Sequence, residues 1–505
     1  MIPIPNLSVK KGGIKMKTLS DQALNLAQVQ SASYADIRII RRRTQEITVK
    51  NGVVEGLSDN ESQGFGVRVV VDGAWGFASS ARLSSAEIDR VTARAVEIAR
   101  ASALFKIHDV ELGPPVAHTG AYRTPVEIDP WDVSLEDKLG LLLEADEGLR
   151  AAKGVMVATS RLTFWQEDKT FANSEGAFLE QTIVETGGGI EAMAVDPASG
   201  EVQKRSHPNS FGRDQRQQGW EAILAMELPN SAPRVGEEAV ALLTADPCPS
   251  GVTTVILGPT QLALQVHESC GHPIELDRVF GTEASYAGTS FLTPEKYGVF
   301  RYGSQAVNLT ADATIPGGLG TFGWDDEGVP AQRVPIVREG MFVGYLTSRE
   351  TARQLRGIVG DGAPETSGGA MRADGWNRIP LIRMTNINLE PGEWEFDDLI
   401  ADTDKGIYME LNKSWSIDDK RLNFQFGTEM AYEIKNGKMG RMLKNATYTG
   451  ITPEFWGNCD AICNENHWRV WGTPNCGKGQ PSQTAHTGHG TAPARFRNVR
   501  VGVMK

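Results

Sequence analysis

Two spacings of apolar residues alternate along the first half of the chain. Apolar positions three and four apart mark one face of a helix, and strict alternation marks a half-buried strand. The first spacing predicts a helix from about Leu19 to Ser31. Strands follow over Ala35–Arg42 and Gln45–Lys50, closed by a turn at Asn51-Gly52. Phe65–Val71 and Ala74–Ala78 read as two more strands. Asp72-Gly73 joins them, a dipeptide that tolerates the positive φ of a tight hairpin. Ser84 with Glu87 three residues on is a capping box. The helix it opens carries Ile88, Val91, Ala95, Ile98 and Ala99 at helical spacing.

The order then recurs. A helix starts at Ser134 with Leu135, Leu139, Leu142 and Leu143. Strand-like runs cover Val155–Thr159, Arg161–Gln166, Ala177–Glu185 and Gly189–Val195. Ser174-Glu175-Gly176 holds the place that Asn51-Gly52 held before, and a further helix lies around Trp220–Leu228. This recurrence predicts a structural duplication. Residues 196–215 and 228–236 read as polar loops. Val252–Leu257 is a short buried strand, and Gln261–Cys270 a helix. The rest is rich in glycine and strands, with turns at Asp326-Glu327-Gly328 and Asn436-Gly437; Asp325, Asp326 and Glu327 read as a solvated turn.

A chain of 505 residues has room for about three domains. We divide it into an extension (1–16), an N-terminal α/β subdomain (17–125), a second α/β subdomain (126–245) and a β-rich C-terminal domain (246–505). The fold class is α+β, with mixed and antiparallel sheets. Composition is that of a soluble globular protein, 40% hydrophobic and 23% charged. A net charge of -12 argues against a broad nucleic-acid footprint, which needs a basic face. No apolar run reaches the length of a membrane span, and the first twenty residues lack the apolar region of a signal peptide. The five cysteines, an odd and sparse set, fit a reducing cytoplasm and metal or thiol roles.

The densest chemistry is His267-Glu268-Ser269-Cys270-Gly271-His272. Imidazole is the commonest metal ligand, and a glutamate beside the first histidine stands where zinc hydrolases keep a general base. The histidines are five apart rather than four. On an ideal α-helix that separates them by about 140°, so both rings could not reach one ion. Gly271 can leave helical space and Pro273 pushes His272 toward an extended conformation, folding it back past the helix end. A π-bulge would serve equally. The plainer alternative is a helix end with two hydrogen-bonded histidines.

A catalytic zinc usually has three protein ligands. Candidates for the third are Cys476, set among glycines with Lys478 near enough to lower its pKa, and the cluster Cys459, Cys463, His467. Cys476 is preferred; Cys459 and Cys463 read as packing residues. Cys270 points to another face of the helix. His486 and His489 line a loop or bind substrate rather than metal, and with Tyr286 they are the candidate oxyanion donors.

Several stretches together resemble the TldD/PmbA (TldD/TldE) family of zinc metallopeptidases. They are His267–Gly288 (HESCGHPIELDRVFGTEASYAG), Val67–Arg82, Asp325–Pro330 (DDEGVP), Arg383–Asn386 (RMTN), Phe426–Tyr432 (FGTEMAY) and Asn475–Gln480 (NCGKGQ). The resemblance covers nearly the whole chain after residue 16. It implies one Zn2+ per chain on His267, His272 and Cys476, with Glu268 as the base that activates a zinc-bound water. It also implies an N-terminal α/β part, a larger β-rich C-terminal part carrying the metal site, a cytoplasmic location, and hydrolysis of short or unfolded polypeptides. With the metal motif intact, the chain is TldD-like, and would work as a homodimer or as a heterodimer with a TldE/PmbA-like paralogue. An extended peptide would bind as an added strand on a sheet edge, with 323–330 and Arg383–Asn386 contributing. No membrane or direct nucleic-acid partner is expected. Two alternatives stand beside this one: a zinc amidohydrolase acting on a non-peptide amide, and a non-catalytic regulator, as the family's older label of gyrase modulator suggests. Glu268 argues against the regulator, because a structural zinc needs no base.

Overall fold

The computed structural model describes residues 12–502. Residues 1–11 of the expected extension lie outside them, while 12–16 already belong to a helix. The N-terminal half opens with α1 (Gly12–Val29), β1 (Tyr34–Lys50), β2 (Val53–Val71), β3 (Ala74–Ser80) and α2 (Ser85–Ala103). After β4 (Thr119–Arg123) the same order returns in α3 (Leu135–Arg150), β5 (Val155–Asn173), β6 (Phe178–Val195) and β7 (Val202–His207). A short β8 (Asp214–Arg216) and α4 (Glu221–Leu224) precede the closing α5 (Leu228–Thr244). Both copies contribute to one sheet, ordered β3-β2-β1-β5-β6-β4, with β7 and β8 also on β6. The copies meet where β1 and β5 pair antiparallel along fifteen residues, Asp36 opposite Asn173 to Lys50 opposite Thr159.

Ser84 and Ser134 cap their helices, each side chain accepting from the backbone N–H three residues on. The turns at Asn51-Gly52, Asp72-Gly73 and Asn436-Gly437 all have positive φ at both residues, the geometry that suits a two-residue hairpin. Three expectations about the elements of the N-terminal half need correction. The paired short strands at 35–50, 155–166 and 177–195 are single long strands, because pairing with a neighbour carries the ladder through polar positions. Residues 196–215 are not all loop, since they include β7 and the start of β8. Residues 228–236 begin α5: Pro229 sits in the first turn, where its missing N–H costs nothing. Leu228, Ala232, Val235, Ala239 and Leu242 make its buried face.

Alternation sorts the long strands into two faces. Ile37, Ile39, Ile47 and Val49 of β1, with Leu162 and Phe164 of β5, lie in the two apolar cores made with the helices. The residues between them face the other way. Among these, Arg38 and Lys169 approach Asp326 (3.7 and 2.8 Å), and Arg42 pairs with Glu167 at 2.7 Å and approaches Asp374 at 3.9 Å. This polar face lies on the C-terminal domain. Asp325, Asp326 and Glu327 are therefore not a solvated turn. All three are buried at 1–2% exposure. Glu327 lies 3.7 Å from Arg68 and accepts the Arg349 backbone N–H, and Asp325 accepts three backbone N–H groups.

The C-terminal domain is built on an eight-stranded and a six-stranded sheet. The strand Gly251–Leu257 runs parallel to Lys405–Ile417 on one side and antiparallel to Ala494–Gly502 on the other. The helix Pro259–Val266 leaves its end and delivers the histidines into the main core. The six-stranded sheet includes Arg469–Lys478 and Gln483–Thr491, an antiparallel pair that returns to the same point.

Candidate metal centre

The helix does not break at His267. It continues as a π turn over His267–Gly271, closed by the N–H of His272 on the carbonyl of His267. That five-residue closure brings His272 over His267, with ring centroids 4.9 Å apart and planes at 89°. Of the two routes open to the sequence, the π turn is the one taken. Gly271 (φ -72, ψ -57) and His272 (φ -62, ψ -42) both keep right-handed helical angles, so neither leaves helical space. Gly271 serves close approach instead: a Cβ there would lie 2.2 Å from Met384 Sδ.

Cys476 arrives from the strand Arg469–Lys478, 204 residues later, and its Sγ stands 3.8 Å from His272 Nε2. One donor atom from each of His267, His272 and Cys476 falls within 4.8 Å of the others, and all three residues are buried. Among the described residues this is the one group of three such donors. Tetrahedral zinc with ordinary Zn–N and Zn–S lengths needs ligand atoms about 3.3–3.6 Å apart. A two-nitrogen, one-sulfur set suits zinc, and the donors would have to draw in from separations of up to 4.8 Å to hold it.

The remaining ring nitrogens are tied down. His272 Nδ1 lies 3.1 Å from Glu275, and His267 Nδ1 lies 2.8 Å from Nε2 of the buried His489. Such bonds would fix the tautomer and leave Nε2 of each histidine available to an ion. Burial lowers His267, opposed by the charges of Glu268 and Glu275. Burial alone would raise the Cys476 thiol, but the charges of His272 and Arg383 outweigh it and hold it below the ordinary cysteine value. The expected helper, Lys478, is occupied elsewhere: it bonds Asp277 at 2.7 Å and lies 3.4 Å from Glu275. Arg383 takes that part, donating to the Cys476 carbonyl.

Glu268 is buried and its Oε2 is 2.5 Å from Arg421 Nη1. Burial would raise its pKa, but His272, His267 and Arg421 more than offset that and keep it ionised. Above the cluster lies a cavity of about 400 Å³. Its C-terminal walls include Arg421, Trp415 and Thr473–Gly477. The N-terminal half supplies Asn209, Ser210, Phe211 and Arg213. That segment can cross β6 closely because Gly189 has no side chain; a Cβ there would meet the Gly212 carbonyl at 2.4 Å. Phe211 is held in the left-handed region (φ 62) with its ring 5.9 Å from that of Trp415.

The other candidates are dispersed. Cys270 accepts from Tyr302 Oη at 3.0 Å, on a different face as expected. Cys459 and Cys463 are buried in separate apolar cores, and His467 pairs with Glu395 at 2.9 Å. His486 and His489 lie on a strand, not a loop. His486 bonds Glu185, and Tyr286 bonds Ser482; neither lines the metal cavity. Sequence reasoning missed Glu275, Arg421, Arg383's link to Cys476 and the 209–213 wall. Glu275, three residues after His272, was the one with a local signal.

A two-histidine, one-cysteine cluster beside an ionised carboxylate, under a cavity, is the equipment of a metal-dependent hydrolase. Family models described as PmbA/TldA metallopeptidase domain 1, central domain and C-terminal domain match residues 35–99, 128–245 and 250–502. The chain belongs to this PmbA/TldD metallopeptidase family. It is 30% identical to a metalloprotease of Methanocaldococcus jannaschii over 92% of this chain and 98% of that one. It is 21% identical to a zinc metalloprotease TldD homolog of Saccharolobus solfataricus, over 84% and 88%. Two solved structures share the fold. A Thermotoga maritima protein described as a DNA gyrase modulator has a TM-score of 0.74 at 19% identity, covering 96% of this chain and 100% of that one. TldE from Thermococcus kodakarensis has 0.69 at 18%, covering 97% and 100%. Among the described residues, no helix is long and apolar enough to cross a membrane.

Proposed function

We propose that this metallopeptidase hydrolyses peptide bonds in short or unfolded polypeptides, using one zinc per chain held by His267, His272 and Cys476, with Glu268 as general base. The observation that carries the reading is the convergence of three buried donors within 4.8 Å on the turn that also holds Glu268. Zinc bound there would polarise the carbonyl and bring the pKa of water toward neutrality. That help is needed, because a carboxylate held below its ordinary value is a weak base on its own. Glu268 takes the proton of the attacking water and passes it to the leaving amine. Arg421 keeps Glu268 ionised and oriented before the transfer, and its guanidinium lines the cavity where negative charge develops. His489 and Glu275 hold the two histidine rings in place.

The 209–213 wall narrows the approach, which favours an extended chain over a folded surface. We further propose that the working assembly is a dimer, of two copies or with a TldE/PmbA-like paralogue. The deciding experiment is a mass-spectrometric profile of peptides cleaved by purified protein, with and without chelator, beside matched folded substrates and a solution size measurement. Cleavage insensitive to chelator would overturn the zinc mechanism. Equal digestion of folded and unfolded substrates by a monomer would overturn the restricted-access assembly.

A further inference from the structure

The cavity over the metal cluster continues beyond Cys476. Arg213, Pro474 and Asn475 line both it and a second cavity of about 290 Å³ against the N-terminal sheet. Pro474 and Asn475 immediately precede Cys476, so the second cavity opens beside the metal centre. Its sheet wall comes from the polar faces of two adjacent strands, Thr44 and Thr48 of β1 and Arg161 and Thr163 of β5.

Arg161 and Arg213 are both half-buried, and neither side chain has an ion pair or hydrogen bond among the described residues. Their neighbours are different. Arg42 has Glu167 at 2.7 Å, while Arg216 and Arg469 share Asp214 at 3.2 and 3.0 Å. Asp214 is thereby spent, its other oxygen accepting the Gly472 N–H. The remaining carboxylate on the cavity, Glu46, is exposed. Burial and the like charge of Arg161 both act against the charged form of Arg213. Two guanidinium groups half removed from water with no carboxylate paired to them cost stability, and a bound anion relieves that cost. Their planar forks match a carboxylate.

We propose that Arg161 and Arg213 form an anion subsite that takes a carboxylate of the peptide substrate next to the bond being cleaved. This rests on the peptidase reading above. The carboxylate is either the free C-terminus of a short peptide or an Asp or Glu side chain, and the same guanidinium pair would serve both.

The test compares zinc-loaded wild type with the Arg161→Gln/Arg213→Gln double variant. Four matched peptides are used, with a free or amidated C-terminus and Glu or Gln at one internal position. Wild type should favour one carboxylate about ten- to a hundredfold in kcat/KM. Loss of the preference on amidation assigns the C-terminus, and loss with Gln assigns the side chain. In the double variant the ratio should fall to within about twofold, and Arg161→Lys/Arg213→Lys should retain part of it. Wild type that ignores both carboxylates, or a preference that survives in the Gln variant, overturns the subsite. Calorimetric binding of the same peptides to Glu268→Gln protein, with and without the arginine substitutions, separates the two readings. Carboxylate-dependent binding without cleavage by wild type sinks the peptidase and upholds the subsite; cleavage without carboxylate preference does the reverse.

Discussion

The metal end of the cavity and its N-terminal wall are built in different ways. The metal end is compact in sequence. One turn supplies two candidate donors and the proposed base, one strand supplies the third candidate donor, and each ring bonds a second buried residue. The wall is spread over β1, β5 and the segment after β7, and owes its character to alternation: one face apolar against helices, the other polar against the C-terminal domain. Chemistry is thus set locally, where small shifts would be costly. On the readings proposed above, access and selectivity fall to a separate surface that could vary without touching the candidate ligands. Substitutions at each end should therefore fail differently.

The largest effect falls at the metal end. Cys476→Ala should lose most of its zinc in metal analysis of the purified protein. Cys459→Ala and Cys463→Ala should retain it, since both thiols sit in separate cores and burial raises them, Cys463 to about 12. Zinc content that follows Cys463 instead would remove Cys476 from the ligand set. Glu268→Gln should keep zinc and the fold, with some loss of stability from the broken Arg421 pair, while kcat falls about 10²–10⁴-fold. Full turnover in that variant would exclude Glu268 as the base.

The contrast also explains what the sequence could disclose. The HExxxH turn and Cys476 stand out because few residue types do this chemistry and the chain has only eight histidines. The π turn was legible as one of two routes, because a five-residue spacing matches its closure. The polar face of the N-terminal sheet was not. Asp325-Asp326-Glu327 reads as a solvated turn because acidic runs usually are. Its partners, Arg38, Arg68 and Lys169, are more than 150 residues earlier in the chain, and nothing local announces them. The helix α5 was hidden for a different reason, its prolines outweighing an apolar face built largely from alanine and valine.

Where the polar face of the N-terminal sheet meets the C-terminal domain, away from both cavities, charge pairing decides stability. Asp326 takes Lys169 at 2.8 Å and the Ala373 N–H at 2.7 Å, with Arg38 nearby. Asp326→Asn should cost about 3 kcal/mol in denaturant unfolding, the low end for a broken buried pair, because Glu167 still faces Lys169. Burial would raise Asp326, but Lys169 and Arg38 hold it below the ordinary aspartate value. A depressed folded pKa contributes stability that is complete above the unfolded value and is lost as pH falls through the folded one. Wild type should therefore lose this share below about pH 4, and Asp326→Asn should show a flatter acid limb. Parallel acid limbs would show that Asp326 is not ionised in the fold.

The smallest of these effects tests whether the metal end is as local as it looks. His489 touches no candidate metal position but lies 2.8 Å from His267 Nδ1, and it reaches there from a strand 222 residues away. If that bond fixes the His267 tautomer, His489→Ala should weaken zinc affinity about 10–100-fold in a competitive chelator titration. The loss should come with little change in zinc stoichiometry at saturation. His489→Gln keeps an acceptor near the same point and should recover part of the affinity, which a general packing defect would not allow. Equal affinity in wild type and His489→Ala would mean that the π turn alone orients His267, and the metal end would then be more local still.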